Sequence, residues 1–323
     1  MKRASFRFPD GVKIDDDASA DAVGIRVVHG GSRFVKPTRV DDAVIDAIRE
    51  LSDLAPLHNP ASIRAIEETQ RSMPGVPIVT VFDTAFHQTM PPLAFRYAVP
   101  EDLGVRRYGF HGISYSYVSS RVEAKRHVIC HLGSGASVCA LLDGKSVDTS
   151  MGFTPLEGLM MGTRAGDIDP GALLYLLRQG QSEETLNDLL NHRSGLLGVS
   201  GRSADVRELE EAAASGDAAC AFALEVFAYR VAKYVGAYAS VLGGLDALTF
   251  TAGIGEHSSA TRTRICSRLG YLGIALDEAA NNAPRTDERR ISQGDVAVWV
   301  IPTHEELEIA RMTYEALTNA LSS

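Results

Sequence analysis

The sequence predicts an α/β protein of two domains with mixed sheets, and three observations lead there. Its 323 residues exceed what one simple hydrophobic core organises. Short, wholly apolar strand-like runs alternate with longer stretches of helical period. A hairpin signal, residues 137–142 and 145–149 around Asp143-Gly144, adds antiparallel pairing to an otherwise strand–helix–strand order. The hairpin-rich half ends near residue 150, so the domains are expected at 1–150 and 151–323, with the C-terminal helix able to return to the first.

Taken in order, residues 1–20 are polar and show no period. From Val23 an apolar run reads as a strand ending in a turn at Gly30-Gly31. Val44, Ile48 and Leu51 share a helix face, with Asp41 or Asp42 as its cap. A second helix starts with Asn59 as cap and Pro60 in the first turn, and ends before Pro74-Gly75. Residues 77–82 form a buried-type strand that delivers Asp83. Residues 128–132 form another, ending in Gly133-Ser134-Gly135 ahead of the hairpin.

The second half is richer in helix. Residues 170–179 and 183–192 carry helical patterns, and a long Ala-rich helix over 217–242 closes at Gly243-Gly244. A strand over 247–251 feeds Gly253-Ile254-Gly255, a helix follows over 259–269, and a strand over 296–301 leads into a final helix.

Composition excludes several classes. The net charge of -9 disfavours a nucleic-acid surface, which rewards clustered Lys and Arg. No run approaches the ~20 apolar residues a membrane span needs. Four cysteines without CxxC spacing fit buried, reduced thiols in a cytoplasmic protein.

Three kinds of constellation point to anion chemistry. The glycine turns at 133–135 and 253–255 follow strands, where bare amides can approach phosphate oxygens. Each alone reads as an ordinary turn; two at comparable places in both halves bring a phosphate cradle level with that reading. Arginines sit in glycine-bounded or Asp-flanked loops: Arg26 before His29-Gly30-Gly31, Arg164 between Gly162 and Gly166, and Arg207 after Asp205. Each can clamp an anion or form a structural ion pair, as Arg164 could with Asp167. His111 between glycines and Asp83 beyond a buried strand are catalytic candidates, each also readable as a purely structural residue. In Pro302-Thr303-His304-Glu305-Glu306, Thr303 and Glu306 suit a capping box, which leaves Glu305 for a magnesium ion.

As literal strings in order, these segments resemble the acetate kinase family. They run RVVHGG (26–31), APLHNP (55–60), VFDTAFHQTMP (81–91), RRYGFHG (106–112), CHLGSGAS (130–137), KSVDTSMGFTPLEGLMMGTRAGDIDP (145–170), SGLLGVSG (194–201), FTAGIGEH (250–257) and THEELEIAR (303–311). The resemblance implies a two-domain actin-like fold, a homodimer, and reversible magnesium-dependent transfer from ATP to acetate, giving acetyl phosphate and ADP. It casts Asp83, His111 and Arg164 as catalytic, Arg26 as the contact to the substrate carboxylate, and Glu305 as the metal residue. It places His131, Leu132, Gly133, Ser134, Gly135, Asp205, Val206, Arg207, Gly253, Ile254, Gly255, Glu256 and His257 around the nucleotide. Val28, Leu57, Phe110 and Pro155 are implied for the acyl pocket.

The sequence also departs from the family. The Asn-x-Gly-Ser-Ser-Ser-x-Lys phosphate loop is not found in residues 1–21, so an incomplete first domain with an open sheet edge and an exposed core face is expected. Ile25 and Tyr115 stand where the family often has His, and Ser134 and His257 where it usually has Asn. Two readings therefore stand beside acetate kinase: a kinase for a longer acid such as propionate, and a nucleotide-binding relative that transfers no phosphate.

Overall fold

A computed structural model describes residues 3–6, 20–55, 58–284 and 287–319. The chain divides into two compact units. One comprises the residues up to Met90, Tyr108–Arg121 and the stretch from Thr303 on; the other comprises Pro91–Arg107 and Val122–Pro302. This division differs from a boundary near 150, because the strands over 126–149 hydrogen-bond into the sheet of the second unit. The C-terminal helix belongs to the first unit.

The first unit has a four-stranded sheet of β1 (Arg3–Phe6), β2 (Ala22–Val27), β3 (Thr38–Arg39) and β4 (Ile78–Phe82), in the order β1-β2-β4-β3. β2 and β4 run parallel, while β1 and β3 are antiparallel to their neighbours. β1 lies in a stretch whose composition shows no strand period, and it covers the β2 edge expected to be open. Nor is a core face exposed at β2. Val23, Ile25 and Val27 pack with Ile45 and Ile48 of the helix Asp42–Glu50 and with Ile63 and Ile66 of the helix Asn59–Ser72. On the other face Ala22 and Val81 meet Ile113, Ile309 and Ala310. A Cβ at Gly24 would collide with Ile309 and Thr313, so glycine lets the helix Glu305–Asn319 lie close against β2. Burial on both faces explains why these strands read as unbroken apolar runs. Ile25 and Tyr115 are both fully enclosed, which suits apolar and aromatic replacements there.

The second unit has a six-stranded mixed sheet of β5 (Arg126–Leu132), β6 (Ala136–Leu142), β7 (Lys145–Thr149), β8 (Ala247–Thr251), β9 (Arg289–Arg290) and β10 (Ala297–Val300), ordered β7-β6-β5-β8-β10-β9. β5, β8 and β10 are parallel. Asp143 and Gly144 both have positive φ, 50° and 75°, as a two-residue Asp-Gly hairpin requires. The helix Ala218–Leu242 is capped by Asp217, buries Phe227, Val231 and Val235, and closes at Gly243. All four cysteines are buried. Among the described residues no helix is long and apolar enough to cross a membrane.

The register between β5 and β8 decides where a ligand can approach this sheet. His131 of β5 pairs with Thr251 of β8, so the glycine segments after both strands emerge side by side. Carboxyl ends of adjacent parallel strands are where α/β folds gather ligands.

Candidate active site

In the first unit the site is built at the carboxyl ends of β2 and β4. Asp83 follows β4 and is buried. Its carboxylate accepts from Arg26 Nε at 3.0 and 3.1 Å and from Nη2 at 2.5 Å, a two-pronged charged pair. Glu305, also buried, lies 3.8 Å from Arg26 Nη1. Burial works against the Arg26 charge, but Asp83 outweighs it and holds the guanidinium firmly protonated. Burial likewise pushes the Asp83 carboxyl up, further than Arg26 pulls it down.

The surrounding sequence explains why this pair is so well fixed. The Arg26 carbonyl accepts from Ser62 Oγ at 3.1 Å. Asn59, expected as a helix cap, instead accepts from the His29 amide at 3.1 Å and donates to the His29 carbonyl at 3.0 Å. Thr84 Oγ1 accepts from the Gly30 amide at 3.0 Å. His111 sits in the left-handed region (φ 58°) at the head of the helix Gly112–Ser119, and its backbone amide bonds to the Asp83 carboxylate. The Gly112 amide donates to the Asp83 carbonyl at 3.0 Å, and a Cβ on Gly112 would strike that same oxygen. Only glycine allows this approach. The helix Glu305–Asn319 starts later than a Thr303 cap implies, and Thr303 shares a 3.0 Å hydrogen bond with Ser114. Of the acyl-pocket candidates, Phe110 is buried and Val28 half-buried in this unit, Pro155 belongs to the second unit, and Leu57 lies outside the described residues.

In the second unit a cavity of about 590 Å³ opens beside the two glycine segments. It brings together Gly133, Ser134, Asp205, Val206, Arg207, Gly253, Ile254 and His257 from the sequence-derived set. It does not include His131 and Leu132, which are buried in β5, nor Gly135, Gly255 and Glu256. The segment 253–255 is not a turn, as expected, but lies in the short helix Ala252–His257, entered through Ala252 at φ 64°. Asp205 caps the helix Val206–Ala214 through the Arg207 amide at 2.8 Å and pairs with the Arg207 guanidinium at 3.0 Å. Sequence reading missed Ala204, Glu210 and Ser258, which also line the cavity. Ser258 could have been found as the cap of the helix Ser259–Cys266; its hydroxyl also bonds to Glu210 at 2.6 Å.

Arg164 lies in the second unit, half-buried on a loop. Its Nη1 donates to the Pro155 carbonyl at 3.0 Å and lies 3.8 Å from Met161 Sδ. The ion pair with Asp167 does not form: that carboxylate accepts from the Gly158 amide at 2.9 Å and the Tyr234 hydroxyl at 2.7 Å. Among the described residues no carboxylate pairs with Arg164, and burial lowers its pKa below the ordinary arginine value. A half-buried guanidinium held by neutral acceptors is set to receive an anion.

An arginine locked to carboxylates in one unit, and in the other an uncompensated arginine and a cavity at parallel strand ends, define a phosphotransferase class. The chain belongs to the acetokinase family, whose model matches residues 6–311. It is 51% identical over 310 residues to the acetate kinase of Heliobacterium modesticaldum, covering 92% of this chain and 78% of that one. Identity to the acetate kinase of Dictyoglomus turgidum is 52% over 308 residues, 91% of this chain and 76% of the relative. Among solved structures, Porphyromonas gingivalis acetate kinase superposes with a TM-score of 0.89 at 44% identity, covering 95% of this chain and 81% of that one. A propionate kinase from Francisella tularensis gives 0.86 at 43% identity, over 90% and 78%. The fold is thus the mixed-sheet, actin-like α/β fold of that family.

Proposed function

We propose that this chain is an acetate kinase, transferring the γ-phosphoryl group of ATP reversibly to acetate to give acetyl phosphate and ADP. The observation that carries the reading is Arg164, a half-buried guanidinium with no carboxylate partner among the described residues. The names of the relatives agree with it.

Acetate is already ionised at neutral pH, so the reaction needs little base catalysis. It needs two anions held in line and the charge on the equatorial oxygens offset. Asp83 grips Arg26 through Nε and Nη2, which leaves Nη1, 3.8 Å from Glu305, outside that grip and able to donate to the acetate carboxylate. In this assignment Asp83 is an orienter, not a strong base. Arg164 and the His111 side chain stabilise the phosphoryl group in flight. The residues lining the cavity beside Gly133 and Gly253 hold the nucleotide.

The residues present fit a magnesium ion. Among the described residues no cluster of three His, Cys, Asp or Glu side chains could cage a metal. Two buried carboxylates, Asp83 and Glu305, do flank Arg26. Magnesium takes one or two carboxylates and completes its shell with phosphate and water, so Glu305 is the residue to hold it, with Asp83 beside it. When bound, the ion neutralises charge on the β- and γ-phosphates.

The structural likeness to a propionate kinase favours a second reading. One methylene changes discrimination by only about 1–3 kcal/mol, so the two acids differ in degree. We assign the protein to the cytoplasm as a homodimer. The helix Pro170–Arg178 has no buried residue and exposes Leu174, Tyr175 and Leu177, an apolar face that a second copy would cover.

The test is formation of acetyl phosphate from ATP, magnesium and acetate, trapped with hydroxylamine, alongside propionate. Turnover well above that of Asp83→Ala is expected, with the higher kcat/KM for acetate. A folded chain that binds ADP yet makes no acyl phosphate would defeat the reading.

A further inference from the structure

The loop that carries Arg164 is held by a half-buried polar cluster for which the reaction has no direct use. Arg107 Nη1 donates to three successive carbonyls, Thr149 at 2.8 Å, Ser150 at 3.0 Å and Met151 at 3.2 Å. Its Nη2 donates to Glu157 Oε1 at 2.5 Å. The other oxygen of Glu157 accepts from the Tyr97 hydroxyl. That hydroxyl in turn accepts from the Phe153 amide at 2.9 Å. A Cβ on Gly152 would collide with both Glu157 and Tyr97, so the cluster closes directly over the loop backbone. Pro155, whose carbonyl is the hydrogen-bond anchor of Arg164, lies between two fixed points, Phe153 and Glu157.

We propose that Arg107, Glu157 and Tyr97 are positioning residues for Arg164, setting its guanidinium by fixing the Pro155 carbonyl. The geometry separates this role from general stability. Arg107 spends its donors on consecutive carbonyls and one carboxylate, which fixes backbone orientation as well as cohesion. Glu157 ties that arginine to Tyr97, and Tyr97 reaches Phe153 two residues before Pro155. The far end of the loop is held by other groups, Asp167 bonding to the Gly158 amide and to the Tyr234 hydroxyl. Loss of the cluster therefore loosens the Pro155 side of Arg164 while the other side stays fixed. Displacement of a catalytic group by about 1 Å costs on the order of a hundredfold in rate.

The inference rests on Arg164 acting on the phosphoryl group, and its test keeps the two claims apart. Tyr97→Phe and Glu157→Gln are made in the full chain, each alone and each combined with Arg164→Ala. Steady-state kcat and KM for both substrates and the unfolding midpoint are measured for all. Alone, Glu157→Gln is expected to lower kcat by roughly a hundredfold and Tyr97→Phe by roughly tenfold, with KM values moving less than about threefold. In the Arg164→Ala background the same changes should alter kcat by less than about twofold, because nothing is left to position. Equal losses in both backgrounds, or losses confined to KM, overturn the positioning role. Full turnover in both single variants while Arg164→Ala is crippled overturns it and leaves the Arg164 reading standing. Undiminished turnover in Arg164→Ala overturns that reading and the inference with it. Tyr97→Phe removes a single oxygen and decides the matter if Glu157→Gln does not fold.

Discussion

The Gly162 amide donates to the Ser134 carbonyl at 3.1 Å, joining the loop that carries Arg164 to the glycine turn that lines the cavity. The loop is bonded on its other side as well. Ser194, Leu196 and Leu197 donate to the carbonyls of Thr163, Met161 and Gly162 at 2.9, 2.8 and 3.0 Å. Gly195 makes this possible, since a Cβ there would strike the Met161 and Arg164 carbonyls. The glycine turn that lines the cavity and the loop of Arg164 thus share one hydrogen-bonded piece of backbone, as the proposed phosphoryl transfer, with little covalent chemistry to perform, requires.

The cavity assignment can be tested at Gly253. It lines the cavity, lies in the first turn of a helix, and a Cβ there meets no protein atom within 4 Å. Gly253→Ala should therefore leave stability unchanged or raise it by up to about 1 kcal/mol, through helix propensity. It should also weaken ADP binding about tenfold, because the new methyl group occupies ligand space. Calorimetric titration with ADP and a thermal melt measure the two effects. Unchanged ADP affinity would show that the nucleotide does not approach this backbone. Gly112→Ala is the contrasting control: its Cβ collides with the Asp83 carbonyl, and a loss of about 1–3 kcal/mol is expected.

Arg164 is predicted to trade stability for function. Keeping a guanidinium half-buried without a counter-charge costs free energy, as its lowered pKa indicates. Arg164→Met should keep or raise the unfolding midpoint while turnover falls by about two to three orders of magnitude. Thermal melts and hydroxylamine-trapped turnover check both halves. A fall in both would mean that the arginine is a structural strut.

Much of this was legible in the sequence because its signals were local. Asp143-Gly144 forces a two-residue hairpin, and unbroken apolar runs required strands buried on both faces. What was not legible depended on partners far along the chain. Asn59 precedes a proline at a helix start and so reads as a cap, yet its side chain serves His29, thirty residues earlier. The Arg164–Asp167 pair looked natural at a spacing of three, but Tyr234 and Gly158 take the carboxylate. The unit boundary was misplaced for a similar reason: strand adjacency, not sequence proximity, assigns β5 to β7 to the second sheet. Glu210 and Ser258 belong to different helices and meet only in the fold.

The proposed homodimer is testable at Leu174. The helix Pro170–Arg178 leaves Leu174 and Tyr175 each 55% exposed. Covering the exposed half of such a leucine contributes about 1 kcal/mol per subunit, and a buried carboxylate in its place would oppose association strongly. Leu174→Glu should convert the protein to monomers at micromolar concentration without lowering the unfolding temperature of the isolated subunit. Sedimentation equilibrium gives the masses. An unchanged dimer would assign the interface elsewhere, and a monomeric parent protein would refute the homodimer itself.

His127 provides a test of the second core by pH. The ring is buried in β5, shares a 2.7 Å hydrogen bond with Thr249 of the neighbouring strand, and burial lowers its pKa from 6.5 to about 4. Between those values the unfolded chain binds a proton that the folded chain refuses, so stability rises with pH across the window and drains away as pH falls from 6.5 toward 4. The full difference corresponds to roughly 3 kcal/mol. Urea unfolding at pH 7, 5.5 and 4.5 should show a steeper decline for the parent protein than for His127→Gln, which has no proton to gain. The variant should be the weaker of the two at pH 7, where the neutral imidazole packs best, and the gap should narrow toward pH 4.5. Parallel declines would mean that the imidazole can be protonated within the folded sheet, and that β5 and β8 are less tightly sealed than their pairing implies.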